Sequence, residues 1–170
     1  ADNCARVIDA THSLMLTRVE VATDQRWYRA LTQMGLKLEA NSPDPQDAIR
    51  GLAADVSNRA SVIACLAAAR ENASQVREEI SSEMWEQVNR LYWQAKQTSG
   101  DAFWQAQPQD FLKGVIEGCY LFKGITNSTM NRGEGYHFIQ LGRFVERAFA
   151  SSALLGVHFR AFPDMGRGEV

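Results

Sequence analysis

From Phe111 the apolar side chains return every three or four residues, through Val115, Cys119, Phe122 and Ile125. That spacing gathers them on one face of a helix of 3.6 residues per turn and would scatter them over both faces of a strand. The same rhythm runs through most of the chain. It appears in Ala5, Ile8, His12, Met15, Leu16 and Val19, predicting a first helix to about Ala22, and in Trp27, Leu31, Met34 and Leu38, predicting a second over Gln25–Leu38. Val62, Cys65, Leu66, Ala69, Ala73, Val76 and Ile80 form a third stripe, and Met84, Trp85, Val88, Leu91, Tyr92 and Ala95 a fourth. No alternating run and no hairpin turn interrupts them. The expected fold class is all-α, a single-domain helical bundle of about six to seven helices.

Helix boundaries follow from local chemistry. In Asn41-Ser42-Pro43-Asp44-Pro45 two prolines end one helix, while Asp44 as cap, Pro45 as first residue and Asp47 in the first turn start a short one to Val56. Ser57-Asn58 offers the cap for the long run to Ile80. Ser81-Ser82, followed by Glu83 and Glu86, caps a helix that ends at Ser99-Gly100. Pro108 opens the next, in which Gly114 and Gly118 lie one turn apart and allow a close neighbour. Asn131 with Glu134 three residues on reads as a capping box for a final helix to about Gly156. The helical domain is expected over residues 1–160, beginning inside a truncated helix because Ala1 is already in register, with a flexible tail over residues 161–170.

Composition then removes several classes of function. A chain of 170 residues can bury one sizeable core. Its 18 Lys and Arg against 20 Asp and Glu leave a net charge of −2 and no basic block, so nucleic acid is not an expected partner. Cys4, Cys65 and Cys119 are isolated and odd in number, which supports neither a disulfide framework nor a zinc site and points to small core residues in a reducing cytosol. The longest apolar run, Val62 to Ala69, is far short of the roughly 18 residues of a membrane span, and neither a span nor a leader is expected. A cytoplasmic location and no membrane contact are expected. No Ser or Cys lies in a nucleophile motif, and Trp85, Tyr92, Trp93, Phe103 and Trp104 at helical spacing read as packing.

The chemistry-bearing residues concentrate in three stretches. In the final helix, His137, Phe138, Leu141, Val145 and Ala148 share one face, and Tyr136, Ile139, Arg143, Glu146, Arg147, Ala150 and Leu154 share another. With apolar residues on both sides, this helix is expected to be central and buried, and Arg143 to reach Glu146 and Arg147 inside the bundle. Buried arginines in excess call for carboxylates from other helices or for an anionic ligand. The run "AARENASQVREE" supplies Arg70, Asn72, Ser74 and Arg77 along the edges of its stripe, with Glu71 pointing away. The linker from Asn127 through Ser128, Thr129, Met130, Asn131 and Arg132 to Gly133 is rich in hydroxyls and amides ahead of a helix start, a favourable place for an anion and equally for ordinary caps. Two readings of the Arg/Glu cluster stand open: a salt-bridge network that fixes helix register, or arginines that hold a carboxylate or phosphate bidentately.

A metal reading exists as well. Glu134-x-x-His137 and Asp9-x-x-His12 have the spacing of di-iron helical bundles. That site needs two further inward glutamates, and neither histidine is placed to join them, so no metal and no cofactor are expected.

"CLAAARENASQVREEISSEMWEQVN" and "STMNRGEGYHFIQLGRFVERA" resemble the bacterial alpha-E domain family, an all-helical family with a Glu-Arg motif, over most of the chain. The matching positions include Arg70, Glu71, Asn72, Arg77, Ser82, Glu83, Trp85, Glu86 and Asn89 in the first segment, and Thr129, Met130, Arg132, Glu134, Gly135, Arg143, Glu146 and Arg147 in the second. Tyr136 stands where Trp is usual and Arg59 where Pro is usual. The segment from Ala1 loosely echoes that from Ala148. The resemblance implies association with circularly permuted ATP-grasp ligases and transglutaminase-like proteins, and so a role in making or modifying a peptide or amide. The expected ligand-binding set is Arg70, Glu71, Asn72, Arg77, Thr129, Arg132, Glu134, Arg143, Glu146 and Arg147. Against an accessory binding domain stand an enzyme using Glu71, Glu134 or Glu146 as acid or base, and a structural bundle whose outer faces assemble homo-oligomers.

Overall fold

Six helices carry the fold. The computed structural model describes residues 1–16, 45–100, 104 and 107–161. Its helices are α1 (Asp2–Leu16), α2 (Pro45–Ala54), α3 (Val62–Gln75), α4 (Ser82–Thr98), α5 (Pro108–Thr129) and α6 (Glu134–Ala161). No strand occurs among the described residues, and the chain is all-α. The expected helix over Gln25–Leu38, the cap at Asp44, the end of the first expected helix beyond Leu16 and the tail after Ala161 lie outside the described residues.

Pro45 and Pro108 open α2 and α5, where a missing N–H breaks no intrahelical bond. Ser81 caps α4 by accepting the Met84 N–H at 3.2 Å. The α3 cap is Ser61, accepting from the Ala64 N–H at 3.1 Å, and not the expected Ser57-Asn58. Those two residues are held in a turn: Asp55 Oδ1 accepts from the Ser57 N–H and Asn58 Oδ1 from the Ala60 N–H, so the backbone becomes helical only after Ser61. α3 also ends at Gln75, short of Ile80. There the Arg77 guanidinium donates to the Ile80 carbonyl at 3.3 Å and to Ser82 Oγ at 3.1 Å, gathering residues 76–80 into a turn. At α6 the Gly133 carbonyl accepts the His137 N–H, which makes Gly133 the cap residue in place of Asn131.

α4 packs between α3 and α5, while α1 lies against α5 and also meets α2 and α3. Ile8, Leu52, Ile63, Leu91, Phe111 and Leu112 bring α1 to α5 into one core. Each large side chain so buried contributes about 1.5–3 kcal/mol. Trp104 meets Phe111 edge-on, with ring centroids 5.7 Å apart. Gln87, buried on α4, donates its amide to the Gly118 carbonyl of α5 at 2.9 Å. The close approach expected at the two glycines occurs at Gly118, where a Cβ would collide with the Leu91 side chain, and not at Gly114, where nothing lies within 4 Å.

α6 differs from its expected place. It adds no residue to this core and meets the body chiefly along α1. Ile139, Arg143, Ala150 and Ala153 are half-buried, whereas Phe138 and Phe149 are each 70% exposed. Two apolar faces mean that two surfaces favour cover; the described residues cover one. No helix among the described residues is long and apolar enough to cross a membrane.

Candidate functional site

The first turns of α1 meet the middle of α6 and the C-terminal half of α5 around an open groove of about 410 Å³. Asp2, Asn3 and Arg6 line it from α1, Lys123 from α5, and Arg143, Glu146 and Arg147 from α6. Spacing explains the grouping. Residues three and four apart share a helix face, so Asp2 falls beside Arg6 and Arg143 beside Glu146 and Arg147.

Asp2 is the organiser. Its Oδ1 accepts from Arg6 Nε at 2.9 Å and its Oδ2 from Lys123 Nζ, an ion pair that ties α1 to α5. Burial works to raise the Asp2 carboxyl, but the hydrogen bonds from Lys123 and Arg6 outweigh it and hold the group below the usual carboxylate range. Arg6 is held above its usual value, first by the hydrogen bond to Asp2. Both cations flank the Tyr120 ring, Arg6 at 4.8 Å and Lys123 at 5.4 Å from its centroid.

On α6, Arg143 Nη1 donates to Gln140 Oε1 at 2.8 Å instead of pairing with Glu146. It reaches back one turn, the direction in which Cα–Cβ bonds of a helix tilt. Glu146 is half-exposed, and its carboxylate lies 3.9 Å from the Ala1 nitrogen. Arg147 is exposed. Four cationic side chains therefore face two acidic ones, leaving an excess of two positive charges. Among the described residues, no acidic side chain lies within 4.0 Å of the charged nitrogens of Arg143 or Arg147.

The other expected site residues are engaged elsewhere. Arg70 Nε donates to Asn89 Oδ1 at 2.7 Å, and its guanidinium lies 5.5–5.9 Å from the rings of Trp85, Tyr92 and Trp93. With Arg77, which also lies over Trp85, it clamps α3 to α4. Thr129 donates its hydroxyl to the Ile125 carbonyl, so Ser81 is the donor in the 2.8 Å contact between the two hydroxyls. Arg132 stacks near Tyr136, whose hydroxyl donates to Asn127 Oδ1. Glu71, Asn72 and Glu134 are exposed, and the Glu71 carboxylate accepts a long bond from the Gln75 amide.

Two expectations thus need correction. Arg70 and Arg77 enter contact sets that share no residue with those of the α6 arginines, because both are occupied by aromatic rings and polar groups of α4 and of the turn before it. The α6 cluster also sits at a groove mouth and not in the interior, because α6 lies on the outside of the core. Asp2, Arg6, Lys123 and Gln140 escaped the sequence reading. The Asp2/Arg6 pair at i, i+4 was a usable signal, whereas Lys123 reaches Asp2 across 121 positions and leaves no local trace.

The arrangement is suited to binding anions more than to nucleophilic attack. Burial pushes the Cys119 thiol up to about 11, with the negative charge of Asp2 adding to it, and burial raises Cys4 as well. Both are poor thiolate sources near neutral pH. Glu134 and His137 are exposed, the His12 side chain lies outside the described residues, and no group of three or more metal-ligating side chains occurs among the described ones. Comparison with curated proteins and with solved structures finds no match for this chain. A family model does match, over residues 1–169, and it describes a predicted alpha-helical domain with a conserved ER motif. Glu146-Arg147 at the groove is such a dipeptide, on an all-helical scaffold, and the chain belongs to the Alpha-E family.

Proposed function

We propose that this is a helical binding domain that holds an anionic, carboxylate-bearing substrate or partner segment in the groove between α1, α5 and α6. Its setting is an amide-forming system with a circularly permuted ATP-grasp ligase and a transglutaminase-like protein, in the bacterial cytoplasm. The observation that carries the reading is the surplus of positive charge at the groove, concentrated on Arg143 and Arg147. A planar guanidinium presents paired N–H donors that match a carboxylate bidentately, and Gln140 holds the Arg143 fork in place. Asp2 keeps Arg6 and Lys123 at the groove wall without neutralising the whole set.

The test is calorimetric titration with a glutamate-rich peptide, alongside a pull-down of the ATP-grasp ligase. Wild type is expected to bind, and Arg143→Ala with Arg147→Ala to weaken binding by about 10–100-fold, the equivalent of about 1.5–3 kcal/mol for a charge-assisted hydrogen bond. Binding should also weaken as salt rises. No binding to either partner, or equal binding by the variant, sinks the reading.

A structural role for the same residues is favoured by one observation, the Asp2 ion pair that joins α1 to α5. Under that reading, Arg143→Met with Glu146→Leu keeps both fold and ligase capture.

A further inference from the structure

The outward side of α6 carries a second pattern, independent of the groove. Starting at Phe138, exposed positions step by three and then four to Leu141, Val145 and Ala148, and after the polar Ser152 to Leu155. From Phe138 to Leu155 this is an a/d heptad alternation, apolar at every position but Ser152, the seam that packs against another α-helix. In the same register Arg143, Glu146 and Arg147 take positions f, b and c, off the seam. The groove and the seam therefore occupy different sides of one helix.

We infer that the occupant of this seam is α6 of a second copy of the chain, giving a two-fold dimer through paired helices. Three observations favour self-pairing. Between Phe138 and Leu155 the flanking e and g positions Gly142, Phe144, Phe149 and Ser151 carry no charge, so identical helices meet there without like-charge repulsion. Gly142 leaves room beside the seam, with nothing within 4 Å of a Cβ placed there. The large side chains on this side from Phe138 to Leu155, 54–70% exposed, offer on the order of 700 Å² of apolar surface per copy, close to what each partner of a stable interface buries. A patch of that size exceeds what monomers commonly leave in water.

Sedimentation equilibrium of the full chain decides the matter. The expected mass is twice 19.0 kDa at tens of micromolar, falling to 19.0 kDa for Leu141→Glu with Leu155→Glu while helical ellipticity is unchanged, since both side chains are exposed in the single copy. If that variant loses ellipticity, Phe149→Glu alone makes the same measurement. The mass of Arg147→Glu, a groove variant, should stay that of the dimer, which separates failure here from failure of the groove reading. A wild-type monomer overturns the proposal: one that does not bind the apolar dye ANS has the seam covered by its own chain, and one that does leaves the seam to a different helical protein. A dimer indifferent to the seam substitutions overturns it too.

Discussion

Asp2 lies in the first turn of α1, where a carboxylate also meets the positive end of the helix dipole, and it receives hydrogen bonds from Arg6 and Lys123. Asp2→Asn keeps the shape and removes the charge that both cations share, at an expected cost of about 1–2 kcal/mol, toward the low end because the pair is partly solvated. The sign with pH follows from the direction of the shift. The folded carboxyl sits below its unfolded value, so its contribution is complete above the unfolded value of about 3.9 and is lost as pH falls through the folded one. Urea midpoints of wild type and Asp2→Asn should therefore differ at pH 7 and converge as pH falls through the folded value; a difference that stays constant on acidification would remove Asp2 from the account. Of the groove residues, Arg143, Glu146 and Arg147 were readable from one helical turn. Lys123 was not, since its role exists only once α5 is laid against α1.

At the scale of helices, Gly114 and Gly118 look alike in sequence and behave differently in the structure. Gly118 faces Leu91 so closely that a methyl group displaces a core side chain, whereas Gly114 faces open space. Gly118→Ala is expected to lower stability by about 1–3 kcal/mol through overpacking. Gly114→Ala is expected to raise it by about 0.5–1 kcal/mol, because alanine restricts the unfolded chain and favours helix. Chemical denaturation of the two variants checks both signs together, and equal effects would mean that α4 and α5 do not approach at Gly118. Helix identities were legible because burying one face imposes a period that any core shares. Boundaries were less so: Ser57-Asn58 and Ser61 offer the same cap chemistry, and the Asp55 turn decides between them.

At the scale of the molecule, α1 to α5 form one core and α6 rests on its flank. Amide exchange should reflect that division. At submicromolar concentration the amides of α6 from Phe144 onward are expected to exchange sooner than those of α4 and α5, because local opening there exposes little new apolar surface. Protection of α6 equal to that of α4 under dilution would contradict its peripheral place. By itself the sequence determined the all-helical class, the starts of α2, α4 and α5 and the clustering of charge on α6, since each depends on neighbours within one turn or on a period the chain carries in itself. Only the tertiary structure decided which apolar face is covered and which arginines share a site. Those outcomes depend on contacts between residues far apart in the chain, and a buried face and an exposed seam can be written with the same side chains.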